Sequence, residues 1–299
     1  MPFPRLSILL ITFFPLLAAA QNEAVSLRQH WEPGHVYRQE TTTLTTTPRA
    51  QKSDAQQTMK VVQHTQMQIA EDAKNKQRLV GVTFVSVQGE IRADDKTLTY
   101  DSTSPAQQNP MLGQVFGQAV GKKFTLVYDE QDRFIDVRDM MSLSHEAGAV
   151  TSLSAVADSR NVALLFRKSL DMGLPQLPVH VGDTWTMDET IPFPRSGEVR
   201  VQMNGTFAAI EDHDGRPHAK IVFEGKFGNT AARADRPVSM TEITSDSSMS
   251  GLLFFDLKRR VVSLGSYTTK IKLQSPGQVI PFEQKVISKI TSDAPAAEK

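Results

Sequence analysis

Apolar and polar residues alternate along most of this chain with a period of two. The clearest case is Ala219, Ile221, Phe223 and Phe227, set against Lys220, Glu224 and Lys226. That pattern predicts a strand with one dry and one wet face. Val199, Val201, Met203 and Phe207 repeat it just upstream, and the turn Asp212-His213-Asp214-Gly215 between the two runs suits a tight hairpin. Tyr267, Thr269, Ile271 and Leu273 alternate with Lys270 and Lys272, and a last strand over 279–290 turns Ile280, Phe282, Val286 and Ile290 inward. Earlier in the chain, Tyr37 to Thr47 is rich in threonine. Threonine favours strands but fills cores poorly, so the run predicts a half-exposed or edge strand. Met59, Val61, Met67 and Ile69 share one side of the next strand, which Gln63 and Thr65 interrupt. Arg78 to Ile91 is almost continuously apolar, with Leu79, Val85, Val87 and Ile91 on one face and Val80, Val82 and Phe84 on the other. Such a strand is expected to be central and covered on both sides, or to hold one face against a helix or ligand. A further hairpin is predicted over 123–137.

Two stretches change period. Asn109-Pro110 reads as an N-cap with Pro in the first helical position, followed by Leu112, Val115, Phe116, Ala119 and Val120 at helical spacing. Gly113, Gly117 and Gly121 lie four apart, which predicts a helix packed closely on a sheet, with a mobile lid or membrane-touching helix as the alternative. The second stretch runs from Asp158 to Trp185. Asp158 is the candidate N-cap, Val162, Leu165, Phe166 and Leu170 form one face, Gly173 suits the C′ position, and Pro175 blocks continuation.

The β regions on either side of that helix resemble each other. Pro33-Gly34-His35-Val36-Tyr37 answers Val181-Gly182-Asp183-Thr184-Trp185; the hairpin 69–91 answers 210–227; Leu126-Val127-Tyr128-Asp129 answers Leu253-Phe254-Phe255-Asp256, with Arg133 and Arg260 at equal distance. The expected fold is therefore mainly β with a few helices: a duplicated antiparallel meander forming a large curved sheet or half-barrel, helices on the concave side. The expected organisation is a signal peptide (1–20), a first β repeat with one helix (21–157), a linking helix and connector (158–180), a second repeat (181–292) and a loose tail (293–299).

The opening residues carry the address. Arg5, an apolar run from Leu6 to Leu17 and the small residues Ala18-Ala19-Ala20 make a secretory signal peptide with Gln21 as the first mature residue. The chain has no cysteine, so no disulfide staples it and no lipobox thiol anchors it. The expected location is secreted or periplasmic, soluble and not lipid-anchored, with no transmembrane segment after signal cleavage. Lys+Arg and Asp+Glu are 33 each, so the basic footprint of nucleic-acid binding is missing.

Catalytic chemistry leaves little trace. There is no G-x-S-x-G elbow, no H-E-x-x-H and no Gly-rich phosphate loop ahead of a helix. His213, Asp214 and His218 have the right side chains for a metal but match no zinc spacing, and a polar hairpin tip accounts for them. No catalytic residue, metal site or cofactor is assigned. Trp31 and Trp185 each suit either a ligand platform or an apolar plug at the end of a sheet.

The motif Trp31-x-x-Gly34-x-x-Tyr37, followed by the apolar-Pro connector into Val181-Gly182-Asp183-x-Trp185, resembles a family of secreted bacterial proteins of unknown function. In address and architecture the chain more loosely resembles the periplasmic lipoprotein carriers of the LolA/LolB type. That resemblance implies a curved sheet wrapping helices and holding lipid. The expected function is accordingly a non-enzymatic protein binding a lipid or other apolar ligand, lined by Val82, Phe84, Leu112, Phe116, Val162 and Phe166. One alternative is a cell-envelope structural or interaction protein that offers the Thr-rich strand as an exposed edge to a protein partner. The other is a hydrolase, which requires a buried His bonded to Ser or Asp at the floor of a cleft.

Overall fold

The strand alternation folds into one antiparallel sheet. A computed structural model describes residues 23–49, 52–104, 109–140, 159–193, 197–229, 242–275 and 278–293. The strands are β1 (Val36–Arg49), β2 (Lys52–Asp72), β3 (Gln77–Ala93), β4 (Lys96–Asp101), β5 (Lys123–Tyr128), β6 (Phe134–Arg138), β7 (Thr184–Phe193), β8 (Gly197–His213), β9 (Arg216–Asn229), β10 (Glu242–Ile243), β11 (Ser248–Asp256), β12 (Val261–Ser275) and β13 (Gln278–Asp293). Their order across the sheet is β6-β5-β3-β2-β1-β13-β12-β11-β9-β8-β7, with β4 added beside β3 and β10 beside β12. The two halves thus share a single sheet, joined where β1 pairs with β13 from Val36↔Asp293 to Thr46↔Glu283.

Two expectations are overturned. The Thr-rich strand is half-exposed as expected but is not at an edge: β1 is hydrogen-bonded to β13 on one side and to β2 on the other, at the centre of the sheet. The free edges of the strand path are β6 and β7. The strand 78–91 is not apolar on both faces. Pairing runs His64↔Ser86 and then Thr65↔Phe84, so Val85 is an extra residue that bulges out of the ladder. A bulge of this kind shifts the alternation by one residue. Val87 and Ile91 therefore rejoin the face of Val80, Val82 and Phe84, while Val85 is 50% exposed.

The sheet is curled. Between the β5–β6 turn and the β11–β12 turn lie the steps β5-β3-β2-β1-β13-β12, which at ~4.8 Å per strand would span roughly 24 Å if flat. Yet Asp132 of the first turn lies 3.5 Å from Arg260 of the second, and the His30 N–H donates to the Arg260 carbonyl at 2.7 Å. That end of the curl is plugged by the segment 25–31. Its Gln29 amide donates to the Leu170 carbonyl at 2.6 Å and its amide oxygen accepts from Val262 N–H at 3.3 Å, tying helix to sheet.

Helix α1 (Pro110–Phe116) runs into a short 3₁₀ turn at Gly117–Ala119, and helix α2 covers Ser159–Asp171. Both cover the inner face. Val162, Phe166 and Leu170 of α2 pack with Val80, Val82 and Phe84 of the first half and with Val261 and Ile290 of the second. A neighbouring cluster of Val199, Phe207, Ile221, Phe223 and Phe255 fills the second half. The expected signal segment 1–20, the candidate N-cap Asp158 and residues 294–299 of the expected tail lie outside the described residues, while Asp293 ends β13.

The matched motifs make the same local bonds. Gly34 N–H donates to the Ile69 carbonyl (3.0 Å) and Ile69 N–H to the His35 carbonyl (3.1 Å); Gly182 N–H donates to the Phe207 carbonyl (2.7 Å) and Phe207 N–H to the Asp183 carbonyl (3.0 Å). Both glycines have positive φ, 80° and 96°, a backbone region that other residues enter at a cost. The ladder shifts register between Val127 and Tyr128 and again between the matched Phe254 and Phe255.

Candidate functional site

The six residues expected to line a ligand fall into two groups. Val82, Phe84, Val162 and Phe166 belong to the core under α2. Leu112 and Phe116 belong to a separate cluster with Val61, Val87 and Tyr100 under α1. All six are buried, and the Phe166 ring sits edge-on to Phe84 (centroids 6.1 Å apart) and Phe124 (5.6 Å). These side chains pack against protein.

A different set of residues marks the inner face at the centre of the sheet. Period two turns Gln39, Thr41, Thr43 and Thr45 of β1 inward. Their register neighbours are Thr65 and Gln63 on β2 and Ser288 and Gln284 on β13, with Tyr267 and Thr269 beyond on β12. Gln39, Thr45, Thr65 and Thr269 are buried at 3–7% exposure. Four bonds join the band: Gln39 Nε2 donates to Ser288 Oγ (2.7 Å), Thr41 Oγ1 to Ser288 Oγ (3.5 Å), Gln63 Nε2 to Thr65 Oγ1 (3.2 Å) and Gln284 Nε2 to Thr45 Oγ1 (3.4 Å). Burial pushes the Tyr267 hydroxyl up to about 12. The sequence signal for this band was present as interruptions: Gln63 and Thr65 in β2, and Gln284 and Ser288 in β13, each occupy a position that alternation would make apolar.

Charged groups gather at the plugged end. Asp132 is buried and pairs with Arg78, with His30 Nδ1 at 2.9 Å and with Arg260. Asp256 and His218 are fully buried; Asp256 Oδ1 accepts the N–H groups of Lys258 and Arg259 at 2.9 Å, and Arg216 Nε lies 2.9 Å from Oδ2. His213 stacks on Phe254 at 4.9 Å. Trp31 is buried edge-on to Tyr37, centroids 5.1 Å apart, and Trp185 lies across Gly205. Burial also pushes the Tyr128 hydroxyl and the Asp171 carboxyl up, the latter against the pull of Arg167.

One serine does meet a histidine. Ser86 Oγ lies 3.1 Å from His64 Nδ1, and His64 Nε2 lies 3.3 Å from Glu40 Oε2, in a row across β3, β2 and β1 on the outer face. Nucleophilic catalysis needs a reachable hydroxyl and a shielded base. Here the arrangement is reversed: the serine is buried, and the His64 and Glu40 side chains are 42% and 58% exposed. The row reads as a cross-strand polar ladder.

No family model and no curated protein matches the chain. Among solved structures, DynF from the dynemicin biosynthesis pathway of Micromonospora chersina is similar over 91% of this chain and 85% of that one, at 6% identity and a TM-score of 0.20, a likeness too low to carry an argument.

Proposed function

We propose that this is a non-enzymatic binding protein of the secreted or periplasmic space that holds a lipid or other largely apolar ligand against the inner face of its curled sheet. The observation that supports this is the composition of that face. A sheet folded only for stability would place apolar side chains at its most central positions, because burying a polar group costs free energy unless every bond is met. Here the buried polar residues Gln39, Thr45, Thr65 and Thr269 interrupt the central positions beside Val61, Val286 and Ile290, with apolar clusters on both flanks. No described helix is long and apolar enough to cross a membrane. Export rests on residues 1–20.

The same reading takes the two halves as copies of one unit. The paired Gly34–Ile69 and Gly182–Phe207 bonds support it, as does the order β7-β8-β9-β11-β12 repeated as β1-β2-β3-β5-β6 in the same direction across the sheet.

Native mass spectrometry of the full-length protein, gently purified from its own export pathway, tests the function. A bound mass in the range of a lipid, released on activation, is expected. A bare chain that also fails to bind an apolar fluorescent probe would overturn the proposal.

A further inference from the structure

Resting on that reading, we infer that the central polar band is a subsite for the head of an uncharged, hydrogen-bonding amphiphile, whose chain lies along the flanking apolar face. The inward positions of β1 between Tyr37 and Thr47, of β2 between Met59 and Ile69, of β12 between Gly265 and Leu273 and of β13 between Ile280 and Ile290 carry no Asp, Glu, Lys or Arg. Nearby ionic groups lie off the band, Arg78 with Asp132 at the plugged end and Lys168 with Glu189 between α2 and the edge strand β7. An ionic head placed on the band would be desolvated with no counter-charge to meet it.

The band also holds unused bonding capacity. A glutamine amide offers two donors and an acceptor oxygen, and a hydroxyl offers one donor and two lone pairs. Gln39, Gln63 and Gln284 each spend one N–H, and no bond to their amide oxygens is made among the described residues. Ser288 Oγ accepts from both Gln39 and Thr41, which leaves its own proton to give. Thr45 and Thr65 accept one bond each and have a proton left in the same way. The band therefore presents both donors and acceptors, which suits alcohol, ester-carbonyl or amide groups.

In register, Thr65–Gln39–Ile290, Gln63–Thr41–Ser288, Val61–Thr43–Val286–Tyr267 and Met59–Thr45–Gln284–Thr269 form successive rows. The polar rows are thus stitched to apolar ones along the strands. A molecule bound here meets both kinds of surface within its own length.

The experiment compares a monoacylglycerol with the fatty acid and the lysophosphatidylglycerol of equal chain length at pH 8, titrated into the full-length protein by calorimetry. The monoacylglycerol should bind at least ~10-fold more tightly than either anion, a difference set by burying a charge without a partner. Gln39→Leu with Gln284→Leu should abolish that preference while an apolar fluorescent probe still binds. Thr45→Val, a milder change, should weaken the preference in a chain that keeps its melting profile. Equal binding of neutral and anionic chains would overturn the inference and leave the binding function standing. Loss of probe and all three lipids alike in the unmodified protein would overturn both, the band then holding only water.

Discussion

Phe166→Ala separates a core anchor from a lid. The Phe166 ring is 5% exposed and set edge-on against Phe84 and Phe124, with interplanar angles of 83° and 75°. Truncating a buried Phe costs about 3–5 kcal/mol in transfer and cavity terms, and edge-on aromatic pairs add roughly 0.5–1.5 kcal/mol each. The upper part of the first range, about 4–5 kcal/mol, applies, because the cavity would open between a helix and two strands that the sheet ladder holds in place. At roughly 2–4 °C per kcal/mol for chains of this general size, the midpoint should fall by about 10 °C or more. The assay is guanidinium and thermal unfolding followed by far-ultraviolet circular dichroism. The cluster containing Phe166 includes Val261 and Ile290 of the second half, so the β signal of the whole sheet should fall in one step. A loss below about 1 kcal/mol, with ligand retention changed instead, would refute the packing argument and make α2 a lid.

Further outcomes are expected elsewhere. Gly89→Ala places a Cβ 2.5 Å from the Phe116 ring, so overpacking should cost about 1–3 kcal/mol; an unchanged chemical midpoint would show that α1 is loosely held. Asp132→Asn strips the carboxylate from Arg78, whose side chain is 14% exposed, and should cost about 3 kcal/mol in urea unfolding, since a buried charge loses its partner. Trypsin cleavage in the β5–β6 and β11–β12 turns should rise in that variant, because the contact holding the curl is lost. With pH, hydrogen bonds from the side chains of Thr103, Arg200 and Lys272 hold Asp101, Asp188 and Asp246 below the usual carboxylate range. A carboxyl depressed in the folded state stabilises it above the unfolded pKa, near 4, and loses that contribution as pH falls through the folded value. The melting temperature should therefore decline progressively below about pH 4. Asp171, raised by burial, acts in the opposite sense, and Asp171→Asn should steepen the decline.

Period two made the sheet legible. The strands at 199–213, 216–229 and 261–275 sit where alternation puts them because one face of each meets the core and the other meets water. The errors have local causes. Val85 looked like part of a two-faced apolar strand because a bulge residue is invisible to a parity count; its partner gap at His64–Thr65 appears only in the ladder. The Thr run of β1 read as an edge because threonine is a poor core filler, and it is poor there too: the positions it occupies are a polar strip inside the curl. The six apolar residues proposed as a lining were recognisable as buried, but hydrophobicity does not distinguish a wall from a core. The useful signal was the polar interruption of apolar alternation. The Asp132 clasp joins residues 30, 78, 132 and 260, and pairing at that separation follows from sheet curl, which no local pattern encodes.

The most direct measurement is photo-crosslinking of the full-length protein with a monoacylglycerol carrying a diazirine beside its head, read out by peptide mapping. Adducts are predicted on inward positions of β1 and β13, from Gln39 to Thr45 and from Gln284 to Ser288, competed away by unlabelled monoacylglycerol. Adducts confined to the outer face, or insensitive to competition, would contradict the account.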